Sequence, residues 1–87
     1  MSQTACMAGR LRCQVYRGMF SDEAVVVVRS KSGSERDYFV TSSAVEKQAD
    51  DQGLITVQLF LKDGVRWAVL PTSYRDTIPI DEAQLVA

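Results

Sequence analysis

The chain has 87 residues, 46% of them hydrophobic and 24% charged, with a formal net charge of −1. This is the make-up of one ordinary globular domain that buries a core without a disulfide or metal staple, and it argues against a general binder of nucleic acid or anionic membrane, since those carry a basic excess. Histidine is absent and the cysteines are two, Cys6 and Cys13, so a zinc site and histidine-based acid–base catalysis both lack their residues.

Residues 1–9 are small and polar, without period and without the positive and apolar segments of a secretory signal. They are expected to form a flexible N-terminus to a single β-rich domain over 10–87. Residues 10–17 alternate, with Leu11, Cys13 and Val15 on one side and Arg12, Gln14 and Tyr16 on the other, the pattern of a half-buried strand. Residues 18–23 form a turn carrying Met19 and Phe20, two large apolar side chains expected to plug one end of the core. The valine run within 24–29 predicts a strand covered on both faces. Ser30 to Glu35, rich in serine around Gly33, is a hairpin turn, and 37–41 is the third strand, with Tyr38 and Val40 opposite Phe39.

Ser43 and Glu46 have the spacing of a capping box, which predicts a short helix over 44–49, ended by Asp50-Asp51-Gln52-Gly53. The strongest local signal follows at 54–70, where two apolar runs flank Asp63-Gly64. A two-residue type I′ turn needs positive φ at both central positions, which Asp and Gly tolerate best. That turn fixes a register in which Lys62 faces Val65, Phe60 faces Trp67 and Gln58 faces Val69. Alternation then gives a core face of Ile55, Val57, Leu59, Leu61, Ala68 and Leu70, and an opposite face of Thr56, Gln58, Phe60, Lys62, Val65, Trp67 and Val69. Pro71 ends the strand before it at Leu70 or sets it along an edge, and Pro79 implies an edge position for the last strand, 77–80. Asp81 with Gln84 repeats the cap spacing, predicting one helical or 3-10 turn that lays Leu85 and Val86 over the core.

The fold predicted is mainly β: a small six-stranded barrel or sandwich of meanders, SH3-like in architecture, with one short helix. An α+β arrangement with a longer helix over 42–52 is the alternative. The two halves share a plan, and at an offset of 40 residues Val25 meets Val65, Val27 meets Trp67, Tyr38 meets Ile78, Val40 meets Ile80 and Val45 meets Leu85. Residues 1–40 carry six basic and four acidic groups and residues 41–87 four and seven, an asymmetry that suits head-to-tail association of copies.

No catalytic residue, cofactor site or metal site is assigned. Cys13 faces the core with no partner to activate it, the acidic pairs Asp22-Glu23, Asp50-Asp51 and Asp81-Glu82 sit at turns, and the glycines are isolated. The expected function is therefore a non-enzymatic protein-interaction module, cytoplasmic, with reduced thiols and no stretch long enough to cross a membrane as a helix. It self-associates as a homodimer through Gln58, Phe60, Lys62, Val65, Trp67 and Val69, an apolar centre with a polar rim, or meets another protein there. The alternative is single-stranded nucleic-acid binding through Arg10, Arg12, Tyr16 and Arg17, disfavoured by the charge balance. A ligand-binding barrel or small enzyme, marked by a deep polar pocket, is the third reading.

Overall fold

Two long strands carry the architecture. Both alternate apolar and polar residues through their middles, over 10–16 and 55–59, and in the computed structural model, which describes residues 7–86, they are the eleven-residue β1 (Met7–Arg17) and β5 (Gln52–Lys62). They pair antiparallel from Met7 opposite Leu59 to Gln14 opposite Gln52, so that Leu11, Val57, Ile55 and Leu59 all point to one side and are buried there. Burying each such side chain is worth about 1.5–3 kcal/mol. On either flank the sheet continues through β2 (Glu23–Arg29) to β3 (Glu35–Thr41), and through β6 (Val65–Val69) to β7 (Thr77–Pro79). The path is β3-β2-β1-β5-β6-β7, six antiparallel strands, with β4 (Val45–Ala49) added to β5 and β8 (Leu85–Val86) added to β1.

The sheet curls around its apolar side into a half-barrel. Ala24, Val26 and Val28 from β2, Val40 from β3, Ala68 from β6, and Leu70 and Ile80 complete the core against β1 and β5. The curl brings the outer strands toward one another at one end, where Lys31 N–H of the β2–β3 turn donates to Pro79 C=O at 2.7 Å. No ladder joins β3 to β7 among the described residues. The closed SH3-like barrel and the sandwich are therefore corrected to an open, curled sheet; three-residue β7, limited by Pro79, is too short to close it.

The predicted helix over 44–49 is not formed, and neither is the α+β alternative over 42–52. Ser42–Ala44 makes a single 3-10 turn without a side-chain cap, and Val45–Ala49 continues as β4 along β5. A six-residue helix is marginal by itself, and the open edge of β5 at residues 52–55 offers ladder hydrogen bonds in its place. The valine strand β2 is covered fully on one face only: Val26 and Val28 are buried, whereas Val25 and Val27 are half-exposed on the other. Met19 and Phe20 do not plug the core. They are 87% and 65% exposed on the β1–β2 loop, which is ordered by its own hydrogen bonds, Glu23 N–H to Phe20 C=O and Met19 N–H to the Glu23 carboxylate. Of the expected flexible terminus 1–9, residues 1–6, Cys6 among them, lie outside the described residues, and residues 7–9 belong to β1.

The strand registers reveal an internal two-fold. Val45 opposite Ile55 repeats as Leu85 opposite Leu11, Gln14 opposite Val27 repeats as Gln58 opposite Val69, and Val26 opposite Tyr38 repeats as Ala68 opposite Ile78. Each half runs strand, strand, strand, 3-10 turn, strand, and each gives its last strand to the long strand of the other half. The equivalences Tyr38/Ile78, Val40/Ile80 and Val45/Leu85 hold. Val25 matches Trp67 and Val27 matches Val69, not the partners a uniform offset of 40 assigns, because the β2–β3 connection between Val27 and Asp37 is two residues longer than the β6–β7 connection between Val69 and Thr77.

Candidate functional site

The β5–β6 hairpin forms as its turn chemistry dictates. Asp63 has φ 53° and Gly64 φ 76°, both positive, and the ladder above them pairs Lys62 with Val65, Leu61 with Arg66, Phe60 with Trp67, Leu59 with Ala68 and Gln58 with Val69. Because directly opposite residues share a face, Gln58, Phe60, Lys62, Val65, Trp67 and Val69 lie together on the outer side of the sheet. Phe60 and Trp67 stack with centroids 6.4 Å apart and planes 8° from parallel. Both rings are half-buried, as are Val65 and Val69, while Gln58 and Lys62 are exposed around them. Pro79 of β7 stands opposite Trp67 and extends the apolar row to the sheet edge. Leu61 departs from the expected core face: it is 54% exposed, because β1 reaches along β5 only as far as Leu59 and leaves the hairpin tip uncovered.

The alternative set does not gather into one surface. Arg10 is held by Glu46 at 3.0 Å, and the Tyr16 hydroxyl lies 3.5 Å from the Asp51 carboxylate. Arg12 stands on the outer side opposite Leu54, whereas Arg17 falls on the other parity at the end of β1. Acidic groups thus interleave with the cations that a phosphate backbone would need free.

One outer row escaped the sequence reading. Tyr16 pairs with Val25 and Val25 with Phe39, so these three side chains cross β1, β2 and β3 at the positions that Phe60, Trp67 and Pro79 occupy in the other half. Phe39 is 63% exposed. Tyr16 and Phe39 were visible as outward residues of their own strands, but their register is set across a five-residue loop with no turn signature, so nothing in the sequence brought them together.

Two further clefts follow from the same symmetry. On β1, β8 reaches Leu11 and β2 begins at Gln14, which leaves Arg12 and Cys13 without a ladder partner on that edge among the described residues. On β5, the equivalent gap falls at Thr56 and Val57, between β4 and β6. The first gap opens into a cleft of about 490 Å³ lined by Arg12, Arg29 and four glutamines, Gln14, Gln48, Gln52 and Gln84. The second, of about 470 Å³, is lined mainly by small and apolar residues, among them Ala8, Ala44, Val69 and Pro71. Burial pushes the Cys13 thiol up to about 11, so at neutral pH it is protonated and a poor nucleophile. The acidic pairs stay at three separate turns, and no cluster of three or more metal-binding side chains occurs among the described residues. No helix among them is long and apolar enough to cross a membrane.

Compared with known proteins, the chain gives no significant match to a family model, a curated protein or a solved structure.

Proposed function

We propose that this small mainly-β domain is a non-enzymatic interaction module that associates with a second copy of itself through the outer face of the β5–β6 hairpin. The observation that carries the reading is the Phe60–Trp67 stack, set among Val65 and Val69 with Gln58 and Lys62 at its margin. An aromatic centre with a polar rim is the anatomy of a protein contact, and tryptophan and tyrosine-sized rings are the side chains that dominate binding energy there. A cross-strand aromatic pair also stabilises the hairpin itself by about 0.5–1 kcal/mol, which explains its presence but not its placement on the outer side. With a formal charge of −1, two copies repel one another little.

Light scattering of the purified chain against Trp67→Ser and Trp67→Arg tests the reading. Wild type is expected above monomer mass and both variants at monomer mass, with near-ultraviolet dichroism or amide spectra showing that each is folded. A well-folded monomer for all forms overturns it.

A further inference from the structure

The two ladder gaps are the same place in the two halves of the chain, lined by different chemistry. Gln14 and Gln58 are equivalent, and so, two residues earlier, are Arg12 and Thr56; Gln52, opposite Gln14, is matched by Ala8, opposite Gln58. Two residues beyond Val27 and Val69 stand Arg29 and Pro71, and just before Leu85 and Val45 stand Gln84 and Ala44. At each of these positions the first cleft has a long polar side chain and the second a small or apolar one. The fold accepts threonine, proline and alanine there, so it does not require the arginines and glutamines.

The charges of the first cleft leave one unmatched. Arg29 is held by Glu35 at 3.0 Å, Arg10 beside the cleft by Glu46 at 3.0 Å, and Asp81 on the neighbouring turn accepts from Ala83 N–H. The Arg12 guanidinium makes no ion pair or hydrogen bond among the described residues. The second cleft has a cation of its own, Arg75, but it takes the place of Glu35 and not of Arg12, two residues before the equivalent Thr77 and Asp37. The backbone adds an acceptor. Val15 N–H donates to Asp51 C=O on the β5 side, so alternation turns Arg12 C=O to the other edge, into the gap beyond the last β1–β2 pair, Gln14 with Val27.

We propose that the first cleft binds the carboxyl end of a peptide, a carboxylate with an amide beside it. The Arg12 guanidinium takes the carboxylate, Arg12 C=O accepts from the last amide N–H, and the glutamine amides, which both donate and accept, hold the groups around them. The gap is two residues long, about 7 Å, and β8 and β2 stand at its two ends, so it admits the end of a chain and not a continuous strand. The site shares no residue with the hairpin face and does not depend on self-association.

The test titrates the whole isotope-labelled chain with acetyl-glycyl-glycine, with its carboxamide and with acetate, following amide resonances. Acetyl-glycyl-glycine is expected to shift the amides of Arg12, Cys13 and Gly53 to saturation and to leave those of Thr56 and Val57 in place. The carboxamide and acetate, each lacking one of the two recognised groups, should bind about tenfold more weakly or worse, and Arg12→Thr, which copies the other half, should weaken acetyl-glycyl-glycine by the same factor. Should Arg12→Thr fail to fold, Arg12→Gln takes its place. The proposal is overturned if no shift saturates, if Thr56 and Val57 respond equally, if the Arg12 variant binds as wild type does, or if either the carboxamide or acetate binds as tightly as the acetylated dipeptide.

Discussion

Leu11 and Ile55 stand opposite each other on the inner side of the β1–β5 ladder, both with no exposed surface, and the internal two-fold passes between them. Leu85 of β8 flanks Leu11 and Val45 of β4 flanks Ile55, so the strand contributed by each half closes over the other half's central residue. The halves therefore hold one another, and neither buries its core alone.

Removing either central side chain is expected to be costly in both halves. Leu11→Ala and Ile55→Ala should each lose about 2–5 kcal/mol, and Ile55→Val about 0.5–1.5 kcal/mol. Urea unfolding followed by tryptophan fluorescence measures this. Transitions should remain single for every variant, and separate transitions for the two halves would contradict their mutual dependence.

Two glycines should respond differently to a methyl group. At Gly64, φ is 76° and the space around a Cβ is open, so Gly64→Ala should cost about 1–2 kcal/mol through backbone conformation alone. At Gly53 a Cβ would stand 2.6 Å from Val15 Cγ2 and 3.0 Å from the Glu46 carbonyl oxygen, so Gly53→Ala should cost about 1–3 kcal/mol through overpacking. Adding Val15→Ala should recover part of the Gly53→Ala loss and none of the Gly64→Ala loss, a non-additivity read from denaturation midpoints.

Cys13 should make stability fall in alkali. Burial raises its thiol from 9.0 to about 11, so the unfolded chain releases that proton first as pH rises. The contribution is whole below pH 9 and is lost progressively as pH climbs toward 11. Comparison with Cys13→Ala isolates it: the difference between the two stability curves should shrink across that interval. Alkylation of Cys13 by iodoacetamide at pH 8 should also be much slower than in the urea-unfolded chain.

The same cap spacing gave two outcomes, and a pair of variants distinguishes them. Asp81 accepts from Ala83 N–H at 3.0 Å while Gln84 accepts from Asp81 N–H at 3.4 Å, a complete capping box. Ser43 lies inside its 3-10 turn and caps nothing; its hydroxyl sits 3.3 Å from that of Thr41. Asp81→Ala should therefore cost about 1 kcal/mol and speed amide exchange at Leu85 and Val86, while Ser43→Ala should change stability by less than about 0.5 kcal/mol.

What the sequence determined by itself was whatever depends on neighbours along the chain. Asp63-Gly64 dictated the hairpin and with it every partner from Gln58 to Val69, because a two-residue turn leaves one register. Alternation placed Leu11, Ile55 and Val57 inside, and Asp81 with Gln84 marked the last turn. What only the tertiary structure decided was whatever depends on distant strands. Residues 45–49 became β4 because the edge of β5 was open to them, Leu61 lost its cover because β1 ended short, and Tyr16 met Val25 and Phe39 through a loop whose length carries no register. A ladder hydrogen bond or a buried contact across tens of residues is set by the packing of the whole sheet, and no local pattern encodes which strand will be there to receive it.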